Sequence, residues 1–458
     1  MGLLAAVGIP LLGVYREKLG GAAAEGANVQ LSGDSKGLQV ESAPGPASPP
    51  KTAEGKKNYG DVLGKIVDFA NDLIFGDRAP SADTGGIPKP GTDATAVRTW
   101  WNGLPESERQ RLIQQDPAAV GQLDGVPAAA RDEANRILLA RAPSELKAQQ
   151  EALQAELRRE LASPSANMSR VNHLHAEIER VQRNIQGVEA LNDRLSHTGG
   201  EAKGQALLLG FDTRGEGHAI VASGDPDHAG NVVTYVPGTT AKLAGIGGDQ
   251  LRSDRMANRA NEIDPASHTV GVTWLGYDAP QSIPSAASDR YAKEGSEALS
   301  DFQAGLRATH EGPPSHNTVI GHSYGSTVVG VAAHDHGLSA DEMVFVGSPG
   351  VGVDHAKDLG IDAQHVWSSH APNDPIQYTE VGSATGPLIG TPPPSRMPFG
   401  INPSSSEFGA RTFTSQSGGH SGYWDTTAAG SGEYTASTSL DNIAHIVVGQ
   451  DEAVTARR

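Results

Sequence analysis

A mostly parallel sheet covered by helices, an α/β fold preceded by an all-helical region, is the class this 458-residue sequence predicts. Three observations point to it. From residue 206 onward, short apolar runs recur, each ended by turn residues and separated by stretches able to form helices. The runs are apolar throughout rather than alternating, which suits strands buried on both faces. Between Val97 and Leu195, in contrast, apolar residues return with a helical period.

The chain opens with "MGLLAAVGIPLLGVY", an apolar run too short to span a bilayer as a helix and without the preceding Lys or Arg of a secretory signal. It reads as an amphipathic or partner-bound helix within an N-terminal segment, 1–31. Residues 32–58 are rich in Pro, Gly and Ser and are expected to be a flexible linker. A helical domain is expected over 59–200. Its first helix places Val62, Ile66, Phe69 and Leu73 on one stripe and ends near Gly76. Pro105, followed by acidic residues, marks a second helix start. Further on, Leu146, Leu153, Leu157 and Leu161 (in 144–161) and Val171, Leu174, Ile178, Val181, Ile185, Val188 and Leu195 (in 168–195) flank the turn "ASPSAN". That pair predicts an antiparallel hairpin, a packing element or a surface for a protein partner.

The α/β domain is expected over 201–458, with strands at 206–212, 218–225, 231–239, 268–278, 317–323, 341–350 and 363–372 and helices over 289–309 and 325–336. The composition excludes several functions. A net charge of −18, from 54 acidic and 36 basic residues, lacks the basic face of a general nucleic-acid binder. Cysteine is absent, so there is no disulfide, no thiolate nucleophile and no Cys-based metal site. No histidine pair stands at ligand spacing beside carboxylates, and neither a metal nor another cofactor is expected.

Within that frame, "TVIGHSYGST" (318–327) carries the chemistry. A lone G-x-S-x-G is a weak signal in a chain with 56 glycines. Here, however, a strand precedes it, small-residue helix follows it, and Gly321 and Gly325 flank Ser323 where Cβ atoms would collide in a tight strand–helix turn. Ser323 is therefore the candidate nucleophile. A serine hydroxyl needs a base, and the base an orienting acid. In the α/β-hydrolase order Ser, Asp/Glu, His, the acid is expected at Asp374 in "HAPNDPI", at a strand end, with Asp354 the alternative. The base is expected at His420, in the Gly/Ser-rich loop "SQSGGHSGYWD", rather than at His445 on an apolar segment. An oxyanion hole is expected from the Tyr324 amide and an amide of Thr239 or Thr240, after the strand "NVVTYV". Tyr277, Met397 and Phe399 are candidates for a substrate wall. The irregular stretch 386–413, with Leu388, Ile389, Met397, Phe399 and Ile401, is a candidate lid.

In "VTYVPGT", "VTWLGYDAPQ", "VIGHSYGST", "VFVGSPGVGVDHAKDL", "APNDPI" and "HSGYWD", with the helical stretch 100–139 ahead of them, the chain resembles an actinobacterial α/β-hydrolase family of largely uncharacterised function, akin to cutinase-like and lipase-like serine esterases. The resemblance covers about residues 100–450. It implies an α/β-hydrolase domain, Ser323 as nucleophile and Asp374 and His420 as its partners. A small-molecule or lipid-like carboxylic ester is the implied substrate, with an amide or thioester, or a non-catalytic interaction role for the hairpin, as alternatives. Such helical regions also accompany type VII export, so the protein is expected to be cytoplasmic or exported by a type VII-like route.

Overall fold

Strand order across the main sheet differs from strand order along the chain, and the difference decides which loops meet at the sheet's carboxyl end. The computed structural model describes residues 29–34, 37–42, 86–196, 203–378, 396–416, 418–429 and 433–457. The expected N-terminal helix, the Val62–Leu73 helix, and Leu388 and Ile389 of the candidate lid lie outside them. The chain divides into two compact units, Met1–Thr84 and Gly85–Arg458. In the first, β1 (Val29–Asp34) and β2 (Gly37–Ser42) pair antiparallel, Leu31 opposite Val40. Residues 32–34 and 37–42 of the expected linker are therefore strand. The linker's opening alternates apolar residues at Leu38 and Val40 after the sequence Gly-Asp-Ser-Lys-Gly, a hairpin pattern hidden by the Pro-rich composition that follows.

The second unit begins with α1 (Ala94–Gly103), α2 (Glu106–Gln115), α3 (Pro117–Gly121), α4 (Ala128–Ala162) and α5 (Met168–Ser196). Asp93 caps α1 by accepting from the Ala96 amide at 2.9 Å. Glu106 and Glu108 lie in the first turn of α2, after Pro105. The hairpin is α4 and α5, but α4 starts sixteen residues earlier than the expected 144 and runs through Pro143. A proline inside a helix costs about 3 kcal/mol. Burial on both sides of it offsets this: Leu139, Ala142 and Leu146 enter one cluster with Val181, Val188 and Leu191 of α5 and with Leu208 and Phe211 of the sheet.

The sheet follows. Its strands are β3 (Leu207–Asp212), β4 (His218–Ala222), β5 (Asn231–Val236), β6 (Thr269–Leu275), β7 (His316–His322), β8 (Glu342–Val346) and β9 (Val366–Ser369). A small pair, β10 (Arg396–Met397) and β11 (Gly400–Ile401), precedes the last sheet strand, β12 (Arg411–Thr412). Across the sheet the order is β12-β9-β8-β7-β5-β6-β4-β3, parallel from β6 to β12, with β4 antiparallel to both its neighbours. Helices α6 (Ile246–Ile263), α7 (Arg290–Thr309) and α8 (Tyr324–Asp335) connect the strands, and α9 (Thr438–Val447) closes the chain after the ribbon β13 (Thr426–Ala429) and β14 (Glu433–Ala436). Alternate residues of β5 serve the two faces. Val232 and Val236 pack with α7 and α8, whereas Val233 and Tyr235 pack with α6 and α9. All six residues of β5 are buried, as an all-apolar run requires.

The helices do not form a domain of their own, and the expected boundary at 200/201 divides nothing. The reason lies at β3, the edge strand, whose free backbone groups need partners. Polar side chains of α4 supply them. Asp132 accepts from the Leu208 amide (2.7 Å), Asn135 donates to the Leu208 carbonyl (3.0 Å), Arg131 to Leu209 (2.8 Å) and Arg136 to Ala206 (2.9 Å). Arg131 also pairs with Asp124 at 2.6 Å, and Asp227, from the β4–β5 connection, accepts the first amide of α4 at 2.8 Å.

Arg131→Met removes the cation from a largely buried ion pair and leaves the Leu209 carbonyl unpaired, at a cost of about 3 kcal/mol. Denaturant unfolding followed by tryptophan fluorescence is expected to show that loss in a single transition. Separate unfolding of the helices and the sheet would contradict the shared edge.

Candidate active site

Ser323 sits between β7 and α8 with φ 54° and ψ −130°. A non-glycine residue there is strained by about 1–3 kcal/mol. The turn is possible because its neighbours lack side chains. A Cβ on Gly325 would lie 2.2 Å from the Val236 carbonyl oxygen, and one on Gly321 would lie 2.4 Å from the Ser326 Cα. Gly238, across from the turn, approaches so closely that its Cβ would come within 2.8 Å of both the Ser323 Cβ and the Tyr324 amide nitrogen. The Ser323 amide donates to the Val346 carbonyl at 3.0 Å, tying the turn to β8. Ser323 itself is 7% exposed, at the amino end of a helix buried along nearly its whole length.

Asp374 and His420 come together. Asp374 follows β9 and is fully buried; His420 lies in the 3-10 segment Gly419–Trp424. The His420 Nδ1 stands 2.9 and 3.0 Å from the two carboxylate oxygens. Asp374 also accepts from the Tyr423 hydroxyl (2.7 Å) and the Ile376 amide (2.9 Å). Burial disfavours its charged form, yet the bonds from His420 and Tyr423 outweigh burial and hold its pKa below the usual carboxylate value. A carboxylate that only accepts assigns the His420 proton to Nδ1 and leaves Nε2 as the basic nitrogen. The loop carrying His420 is tied down by the Gly419 amide, which donates to the Asn373 side chain at 3.1 Å. The alternatives stand elsewhere: Asp354 pairs with Arg396 at 3.2 Å, and His445 on α9 faces Gln450.

Gly347, just past β8, is a site residue that sequence reasoning missed. Its φ is +57°, and a Cβ there would lie 2.8 Å from an Asp374 carboxylate oxygen and 3.1 Å from the His420 ring. The only sequence signal was a glycine closing the strand "EMVFV".

The oxyanion candidates divide. The Tyr324 amide is the first of α8 and has no intrahelical partner. Thr240 does not serve: its amide donates to the Pro280 carbonyl at 2.8 Å. Among the described residues no hydrogen bond is made by the Thr239 amide, so the candidate pair is Tyr324 and Thr239. Tyr277 is corrected from substrate wall to brace. It is buried, stacks on Trp274, and its hydroxyl donates to the Pro237 carbonyl at 2.7 Å, holding the loop that carries Thr239. Met397 is likewise fully buried and cannot line an open wall. Phe399 is half-buried, its ring edge-on to Tyr324 at 5.5 Å, and is the wall candidate that borders the turn.

Residues 212–383 match a family described as alpha/beta hydrolase, Abhydrolase_8. The uncharacterised protein Rv0963c of Mycobacterium tuberculosis (strain H37Rv) is 30% identical over 186 residues, covering 38% of this chain and 69% of that protein. The chain belongs to this α/β-hydrolase family. A second relative, the uncharacterised protein Rv2079 of the same strain, is 31% identical over 348 residues, covering 72% of this chain and 52% of that protein. The chain thus spans about half the length of that relative. A solved carboxyl esterase from Bacillus coagulans is similar over 32% of this chain and 44% of its own, at 13% identity and a TM-score of 0.21, too partial a likeness to carry weight. Among the described residues no group of acidic or histidine side chains is placed to hold a metal ion, and no helix is long and apolar enough to cross a membrane. The fold is that of an α/β hydrolase with a mostly parallel sheet, and Ser323 comes directly after the central strand β7.

Two substitutions probe the geometry. Gly347→Ala places a methyl group against Asp374 and His420 on a left-handed backbone, and a loss of hydrolytic activity on the order of 100-fold, measured with p-nitrophenyl esters, is expected from the displaced His420. Tyr423→Phe removes a donor to ionised Asp374, costing about 1.5–3 kcal/mol of stability at pH 7. Because the folded pKa of Asp374 is depressed, the stability it contributes is present above its unfolded value, about 4, and is lost as pH falls through the folded one. The gap between wild type and Tyr423→Phe, measured by denaturant unfolding, should therefore narrow as pH is lowered below about 4.

Proposed function

We propose that the protein is a serine hydrolase that cleaves a carboxylic ester through an acyl-enzyme, in the manner of an esterase or lipase. The observation that carries this reading is the pairing of buried Asp374 with the Nδ1–H of His420, whose main-chain carbonyl meets His322 beside a serine on a positive-φ turn at a helix amino end. Family membership supports a hydrolase; the ester and the roles of the residues are the proposal. Phe399 beside the turn favours an acyl group of moderate hydrophobicity.

In the proposed reaction the Ser323 Oγ attacks the carbonyl carbon while the His420 Nε2 takes its proton. Asp374 holds the ring through Nδ1 and stabilises the imidazolium. The Tyr324 and Thr239 amides donate to the oxygen that becomes negative, and the amino end of α8 adds favourable potential. As the tetrahedral intermediate collapses, His420 returns the proton to the leaving alkoxide and the acyl-enzyme remains. Water then attacks the acyl carbon, His420 takes the water's proton and gives it back to Ser323, and the acid leaves.

Labelling with a fluorophosphonate probe tests this reading. Wild type is expected to label; Ser323→Ala abolishes labelling, and His420→Ala slows it by about 10³-fold or more. p-Nitrophenyl esters of graded length then define the acyl preference. Folded wild type that stays unlabelled and inert to the esters would sink the reading, and cleavage of anilides with no cleavage of esters would replace the ester by an amide.

A further inference from the structure

His322 precedes the candidate nucleophile, is 5% exposed, and has no part in the reaction just described. Both its ring nitrogens are nevertheless committed. Nε2 stands 2.7 Å from the main-chain carbonyl oxygen of His420, and Nδ1 stands 3.3 Å from the Tyr235 hydroxyl. The Tyr235 hydroxyl in turn receives a bond from the Arg252 guanidinium at 2.8 Å, and Arg252 pairs with Asp249 at 2.8 Å.

The direction of each bond follows from what the groups can do. A guanidinium only donates, so Tyr235 accepts from Arg252 and its single proton is free for the His322 Nδ1. A carbonyl only accepts, so the proton of His322 is on Nε2. The relay therefore selects one form of His322: neutral, with Nε2–H pointed at the peptide of His420. The charged and titratable groups around the ring agree. Arg252 and Asp249 lie on α6, Tyr235 on β5, His420 and Tyr423 on the 419–424 segment, and Asp374 after β9. Burial, followed by the charges of His420 and Arg252, holds the His322 pKa well below its ordinary value. The ring also packs edge-on to Trp424 at 4.9 Å and lies 4.9 Å from the His420 ring.

We infer that His322 is a positioning residue that registers the base against the nucleophile, its Nε2–H tautomer imposed by Arg252 through Tyr235. The side chain of the residue next to Ser323 is bonded to the main chain of His420, so one hydrogen bond ties the backbone that carries the base to the residue beside the nucleophile. The bonds to Asp374 and Asn373 hold the His420 ring and the start of its Gly-rich 3-10 turn to the loop after β9, and the His322 bond is the one that registers that turn against β7. A neutral neighbour also adds no second positive charge when His420 becomes an imidazolium.

This inference rests on the serine-hydrolase reading, and the experiment separates the two. Rates of fluorophosphonate labelling are compared for wild type, His322→Phe and His322→Gln. In parallel, histidine side-chain nitrogen spectra are recorded on 15N-histidine-labelled wild type and Tyr235→Phe. The Phe variant keeps an aromatic ring in the cluster and loses the donor, and its labelling is expected to slow on the order of 10- to 100-fold. Gln can donate from a similar position and is expected to recover most of that loss. The His322 signal, identified by its disappearance in His322→Phe, is expected as the neutral Nε2–H tautomer from pH 6 to 8 in wild type and as a mixture of forms in Tyr235→Phe.

A Phe variant that labels at the wild-type rate, or a Gln variant as slow as Phe, overturns the inference. So does a wild-type His322 carrying its proton on Nδ1, whatever the labelling does. Should the Phe variant not fold, the Gln variant and the Tyr235→Phe spectrum still decide: full wild-type tautomer purity without the hydroxyl overturns it. Wild type that does not label at Ser323 strikes the hydrolase reading, and the spectra separately judge the His322 contact.

Discussion

The constraint on which the site depends is the backbone of Ser323, held at φ 54° in a turn that leaves no room for side chains on three sides. Gly321 and Gly325 flank it, and Gly238 presses against it from the loop after β5. The strain is about 1–3 kcal/mol. Helix α8 offsets it, since Val328 and Val329, both fully buried, contribute about 1.5–3 kcal/mol each. The helix can therefore hold the residue that caps it in a conformation the chain would not choose, and its first amide, that of Tyr324, is left without an intrahelical partner.

Around this rigid turn the remaining groups are carried on loops, and each loop is fastened by named bonds. Tyr277 holds Pro237, and Pro280 holds Thr240, so the segment bearing Thr239 is pinned from both sides. Asp374 is a buried carboxylate, costly by several kcal/mol if unpaired. Three donors satisfy it, and Tyr423 also accepts from the Ala371 amide at 2.9 Å, fixing the acid's own loop. Gly347 lets Asp374 and His420 approach β8. Close approach, not added side chains, brings the parts of the site together.

The helices before the sheet solve a different problem with the same economy of contacts. An exposed edge strand offers unpaired amides and carbonyls to any passing strand. Asp132, Arg131, Asn135 and Arg136 on successive turns of α4 match those groups along β3, which explains polar residues on the buried side of a helix that should bury apolar ones. The same contact makes a helical region of more than a hundred residues part of the hydrolase unit.

The seven strands from β3 to β9 and the helices α7 and α8 were legible in the sequence, because strands buried on both faces must be apolar throughout and turn residues mark their ends. Ser323 stood out for a similar local reason: the small residues its turn demands are its sequence neighbours. Asp374 and His420 could be named from chain order, but their meeting depends on how β9 and the 3-10 segment end, which no local pattern states. Other assignments failed because they rest on contacts between segments far apart in the chain. Thr240 lost its amide to Pro280, Tyr277 and Met397 were buried by what covers them, and Gly347 and His322 acquired their roles from His420, 73 and 98 residues away. The sequence by itself determined the elements and the strained turn, since backbone conformation and hydrophobic periodicity are local. Only the tertiary structure decided which polar groups gather near Ser323, because hydrogen-bond partners are chosen by proximity in space.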